Sequence, residues 1–347
     1  MDIAKGIGIL IIVFGHGWFV EHSPNLLYPI LAVFILPLFF FLSGVFFKPE
    51  QPFVEMAVRK ADALLKPFFT TMLVYVLVRD LLRGQPLLPD IGGVLYASVD
   101  TLPWQALWFL PHFWAAILFA WVMLRLMQRL GLSLVWSCVV VGVQLLLGVW
   151  TLDWFWQVPI TVGGQTWTMP GLPFSLDVTL ISSTYFILGY LLRDVLRRHQ
   201  SSLLSMVVAL VVYFAIFIPT WDTMDLAQRR YDHWLWTSAL AVIGVYICWA
   251  LAGLMMTSAV LTRAMTYIGQ STLILLIFHG EIQHKTIALL QHLGLPDVAA
   301  AFIGLVVAVV VPLMIGEVIK RVAFLRFFYF PSPVRKAPGV PGEKPGA

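Results

Sequence analysis

Residues 1–18, MDIAKGIGILIIVFGHGW, place a lysine and a histidine, Lys5 and His16, in an otherwise apolar run. At about 100° per residue their spacing closes almost three helical turns, so both side chains share one face, ~16 Å apart along the axis. A cation and an imidazole inside one apolar helix carry an energetic penalty that is kept only where the groups serve something. Similar apolar runs recur to the end of the chain, and that recurrence decides the fold class. The 347 residues are 60% hydrophobic and 12% charged, against roughly a quarter charged in soluble domains. The expectation is an all-α, polytopic membrane protein with one domain over 1–330 and no room for a separate soluble one. Cys138 and Cys248 both lie inside apolar runs, which argues against a disulfide framework. No nucleic-acid partner is expected; the partner implied throughout is the lipid bilayer.

Runs long enough to cross a bilayer predict about ten helices, near 3–20, 28–47, 66–83, 106–127, 133–151, 177–193, 202–219, 234–257, 267–288 and 297–320. The first lacks an A-x-A site and is read as retained. With the N-terminus cytoplasmic, 17 of the 22 basic residues fall on the inner side. They include Lys5, Arg59, Lys60, Lys66, the 193–198 cluster and Arg335, Lys336 and Lys344. The outer set is Arg79, Arg83, Arg229, Arg230 and Lys285. The positive-inside rule then places both termini in the cytoplasm. The tail 331–347, PSPVRKAPGVPGEKPGA, reads as a disordered Pro/Gly-rich segment. No internal repeat supports an inverted-repeat transporter.

This topology converts positions into depths. His16 and His279, the latter in GQSTLILLIFHGEIQ, fall at similar depth in the outer half, and His112 in LWFLPHFW lies near an outer helix start. Each is either a core imidazole satisfied by a neighbour or a functional group; coincident depth favours function for His16 and His279. His112, beside Pro111, could equally be an interfacial anchor. Glu281 is turned about 200° from His279, whereas Gln283 shares its face. No H-E-x-x-H, C-x-x-C, G-x-S-x-G or P-loop pattern occurs, so no metal site is expected. Ser43 and Gly44 in FFLSGVFF read as a helix-packing position.

DIAKGIGILIIVFGH, LPLFFFLSGVFF, LWFL, YFILGYLLR and YIGQSTLILLIFHGEI, in that order, resemble the acyltransferase-3 family of integral-membrane O-acyltransferases. The nearest branch is that of fucose-acetylase-type and exopolysaccharide acetyltransferases. The resemblance implies about ten membrane helices, cytoplasmic acetyl-CoA as co-substrate with no bound cofactor, and glycan hydroxyls as acceptors on the far side. It implies a catalytic His16 and a second important histidine at His279. Lys5 takes the place of the family's basic residue on the first helix, usually Arg. The family's frequent F-H-M-P reads Phe34, Ile35, Leu36, Pro37 here, and its R-x-x-R pattern is kept only in part, by Arg59 and Lys60 ahead of Lys66 and Pro67.

On that footing Lys5, Arg59, Lys60 and Lys66 are the candidate donor contacts, Lys5 acting as a point charge on phosphate. His16 is expected to act as general base or as a covalent acyl carrier. His279 would orient the acceptor, stabilise the oxyanion or relay a proton. Acceptor contacts are expected from His112, Trp154, Arg229, Arg230 and Asp232. The Trp-rich loop 150–174 reads equally as a sugar platform or as an interfacial belt. The arginines of WDTMDLAQRRYDHWLW suit an anionic glycan or lipid diphosphate, or simply pair with nearby aspartates. The implied partners are acyl-CoA, a glycan or lipid-linked oligosaccharide and polysaccharide-assembly proteins, at a bacterial inner membrane. A glycan transporter without chemistry is the competing class.

Overall fold

The computed structural model describes residues 1–199 and 201–332. Nearly all of the expected tail, with Arg335, Lys336 and Lys344, lies outside the described residues. Ten main helices follow in order: α1 (Asp2–Gly15), α2 (Leu27–Val45), α3 (Phe53–Arg83), α4 (Phe109–Arg129), α5 (Leu134–Trp150), α6 (Thr179–Leu191), α7 (Leu203–Thr220), α8 (Trp234–Met255), α9 (Thr272–His292) and α10 (Asp297–Arg321). Each expected span meets one of them. Eight are long and apolar enough to cross a membrane, α4 and α6 counted with the 3-10 turns that lead into them (Gln105–Arg129 and Pro173–Leu191); α1 and α5, at 14 and 17 residues, are shorter.

Three departures from the expected boundaries have local causes. Helix α1 stops at Gly15, and the chain turns through His16 and Gly17 into a short helix, Trp18–Glu21. Two glycines around a histidine supply weak helix propensity where the turn falls. Helix α3 begins at Phe53, well ahead of residue 66, because 53–65 is an amphipathic extension of the apolar run. The segment expected over 267–288 is split at Ser271 between the helix Ala259–Gln270 and α9. The Trp-rich loop carries a hairpin, β1 (Trp156–Val162) with β2 (Gln165–Pro170), joined by Gly163 and Gly164 at φ of 60° and 81°. Positive φ at both turn residues is what a two-residue hairpin loop demands.

Helices α2, α4 and α6 form the interior. In the most apolar window of the α6 segment 67% of residues are buried, against 11% for α7, which is left to face lipid. Helices α2 and α6 meet backbone to backbone. A Cβ on Gly44 would collide with the Phe186 carbonyl, and one on Gly189 with the Phe41 carbonyl. The FFLSG block is therefore a close helix crossing built on small residues. Phe40, Leu38, Leu42, Tyr185 and Phe186 fill the layers around it. Helix α1 is clamped by the helix Ala259–Gln270, where Gly6 and Gly269 admit the partner backbone.

Candidate functional site

The break after α1 makes His16 the C-terminal cap of that helix, its backbone N–H still bonded to the Ile12 carbonyl at 3.0 Å. Freed from the helix interior, the imidazole turns toward α9. A Cβ on Gly17 would lie 2.6 Å from the Gln283 amide nitrogen, so α9 passes close to this turn and a larger residue would displace the Gln283 side chain. The result is a histidine pair: the rings of His16 and His279 have centroids 5.4 Å apart and planes inclined by 49°.

The two imidazoles are held differently. His279 is fully buried, and its Nδ1–H donates to the carbonyls of Leu275 at 2.8 Å and Leu276 at 3.1 Å. That bond fixes the tautomer and leaves Nε2 as an acceptor, one without a partner among the described residues. His16 is exposed and borders two cavities.

The first cavity, about 230 Å³, has apolar walls from α1, α2 and α4 and polar groups from Tyr28, Gln105, Asp225 and Gln228. The second, about 270 Å³, lies between the 103–107 segment and α9 and adds His279, Glu281 and His284 to the lining. His16, Gln105, Ala106 and Leu276 border both, so His16 sits at their junction. The Trp104 indole N–H, beside Gln105 in the second cavity, is buried and has no acceptor among the described residues.

Of the donor candidates, Lys5 lies at the other end of α1 and Arg59, Lys60 and Lys66 on α3. Lys5 is 3.9 Å from the Asp2 carboxylate, a loose ion pair, and stands close enough to Lys60 for the two charges to interact. Lys60 forms no ion pair among the described residues. Arg59 donates to the Gln51 side chain at 2.5 Å. Lys66 is occupied: it pairs with Asp62 at 2.6 Å, donates to the Phe330 carbonyl at 2.9 Å and lies over the Phe327 ring. Lys5 lines neither cavity.

None of the five acceptor candidates lines either cavity. His112 is sealed, with Nδ1 on the Phe174 carbonyl at 3.3 Å and Nε2 paired to the Ser182 hydroxyl at 2.9 Å. It anchors the loop whose Phe174 and Ser175 take left-handed backbone angles. Arg229 is consumed by a fully buried, two-pronged ion pair to Asp177, at 2.7 and 3.1 Å, and lies over the Trp156 ring. Arg230 forks onto Asp232 at 2.8 and 2.9 Å. Trp154 packs edge-on against Trp150 and is exposed. Local pairing therefore accounts for Arg230, and a partner far along the chain for Arg229.

In their place the structure brings Tyr28, Gln105, Asp225 and Gln228 to His16. Asp225 stands in the arginine-bearing segment that draws attention in the sequence, three residues before Gln228. Gln105 lies in a Trp-rich stretch, where a single neutral amide gives no periodic signal.

A family model described as an acyltransferase domain matches residues 1–317. No curated protein and no solved structure matches the chain.

Proposed function

The chain belongs to the acyltransferase-3 family and is a multi-pass membrane acyltransferase; from that premise we propose that it moves an acetyl group from cytoplasmic acetyl-CoA to a glycan hydroxyl on the outer side of a bacterial inner membrane. The observation that carries this reading is the facing pair of His16 and His279 at the junction of two cavities. Lys5 and Lys60 supply positive charge at the inner end of α1 for the anionic nucleotide of the donor. The ~16 Å along the helix to His16 suits a slender pantetheine arm.

In the transfer step, His16 removes the acceptor O–H proton as the oxygen attacks the thioester carbon. A C–O bond forms, the C–S bond breaks, and the imidazolium returns the proton to the departing thiolate. His279, locked by its carbonyl bonds, keeps an Nε2 without a partner among the described residues for this exchange. The Gln105 amide borders the same junction and the Trp104 indole N–H the second cavity; both are neutral donors suited to a developing oxyanion. A covalent acetyl-imidazole on His16 is the variant route.

The test is acetyl transfer by the purified protein in nanodiscs, with mass spectrometry of the glycan product. His16→Ala should abolish transfer while donor binding and folding persist. Full activity in a folded His16→Ala protein would overturn the proposal.

A further inference from the structure

We propose that the first cavity is an acceptor subsite for a single uncharged, hydroxyl-bearing ring, with Asp225 and Tyr28 as its specificity-determining residues. The inference rests on the acyl-transfer reading above and adds a substrate class to it.

Asp225 is fixed in place. Its Oδ1 accepts from the backbone N–H groups of Ala227 at 2.9 Å and Gln228 at 3.1 Å, and its Oδ2 accepts from the Tyr28 hydroxyl. A carboxylate offers about four acceptor sites, so three bonds from the protein leave capacity for a ligand hydroxyl. The carboxylate is within Coulombic reach of His16, and both border the same cavity. A hydroxyl-bearing ring held by Asp225 is thereby brought toward the base that must deprotonate it.

Charge decides the class. No lysine or arginine lines either cavity. Arg230 is near Tyr28 and Asp225, but its guanidinium is committed to Asp232 by two bonds. Arg229 is committed to Asp177. A uronate or phosphate would meet the fixed carboxylate with no free cation to offset it, and like-charge juxtaposition is strongly rejecting. Volume sets the size: about 230 Å³ falls below the ~300 Å³ at which drug-sized sites begin. The walls of Leu31, Ile35, Trp108 and Phe109 suit the C–H faces of one sugar ring.

The experiment compares acetyl transfer to matched neutral and uronate-containing oligosaccharides by the protein in nanodiscs, with kcat and KM measured for each. Wild type should prefer the neutral acceptor by ~10-fold or more in kcat/KM. Asp225→Asn should raise the neutral acceptor's KM about 10-fold, leave the KM for acetyl-CoA unchanged and narrow the discrimination. Tyr28→Phe, which keeps the ring, should move in the same direction. Equal use of the uronate acceptor by wild type overturns the inference, as does unchanged acceptor KM and discrimination in a folded Asp225→Asn protein. Should Asp225→Asn not fold, the wild-type preference decides alone. Donor binding without transfer to any acceptor would remove the subsite; absence of donor binding as well would remove the acyl-transfer reading itself.

Discussion

Asp177→Ala is the most demanding perturbation of the architecture around the site. Both side chains of the Asp177–Arg229 pair are 0% exposed. The guanidinium gives Nε and Nη2 to the carboxylate, donates through Nη1 to the Ala227 carbonyl at 2.8 Å and lies 4.2 Å above the Trp156 ring. Asp177 also accepts from the Leu172 N–H at 3.0 Å. Removing the carboxylate strands a buried cation, an effect worth about 3–5 kcal/mol. The Leu172 N–H left without its acceptor places the expected loss toward the upper end. Arg229 sits at φ 50°, a left-handed angle that needs such a tie to hold it.

The functional consequence follows from connectivity. Arg229 holds the turn from which Asp225, Ala227 and Gln228 line the first cavity. Asp177→Ala should therefore raise the acceptor KM while sparing the donor KM. Stability would be followed by SDS titration of the protein in micelles, reading tryptophan fluorescence. The double variant Asp177→Leu with Arg229→Met removes both charges and should recover to within ~1–2 kcal/mol of wild type. A loss below ~1 kcal/mol in Asp177→Ala, or a double variant as damaged as the single, would refute the reasoning.

Gly44→Ala and Gly189→Ala each place a methyl against an opposing backbone carbonyl, and either should destabilise the α2–α6 crossing by ~1–3 kcal/mol, read in the same titration. Lys5→Gln and Lys60→Gln should raise the KM for acetyl-CoA, more at low salt than at high; Lys66→Met should instead lower stability, because its charge already serves Asp62 and its amine the Phe330 carbonyl. Asp222, in the loop before α8, is buried, its Oδ2 has no partner among the described residues, and burial followed by the nearby Asp232 raises its pKa. The folded state thus holds that proton more tightly than the unfolded chain, and stability falls as pH rises from the ordinary carboxylate value toward the raised one. Asp222→Asn should be more stable than wild type at neutral pH, with the difference shrinking toward about pH 4, as measured by melting across a pH series.

The helices and the histidine pair were legible because their signals are local or additive. Apolar run length locates a span without reference to its neighbours, and His16 and His279 shared a depth once topology was assigned. The hidden parts are those decided by pairing between distant segments. Arg229 and Asp177 stand 52 positions apart, so the sequence offers an anionic ligand or the nearer aspartates as its partner and not the one the fold supplies. His112 reads as a satisfied core imidazole, an interfacial anchor or an acceptor contact; the loop at Phe174 and the Ser182 hydroxyl, which close over both nitrogens, decide for the first.

Asp225 shows the same logic in reverse. In the sequence it is one of several acids beside two arginines, which suit either an anionic ligand or local pairing. The fold sends Arg229 to Asp177 and Arg230 to Asp232, leaving Asp225 on the cavity wall with Tyr28 from the start of α2. With both arginines paired elsewhere, the cavity wall carries a carboxylate and no lysine or arginine, and a neutral acceptor is proposed on that ground. A formal net charge of +4 is therefore no guide to the site, because what a ligand meets is the charge left over after the protein has paired its own.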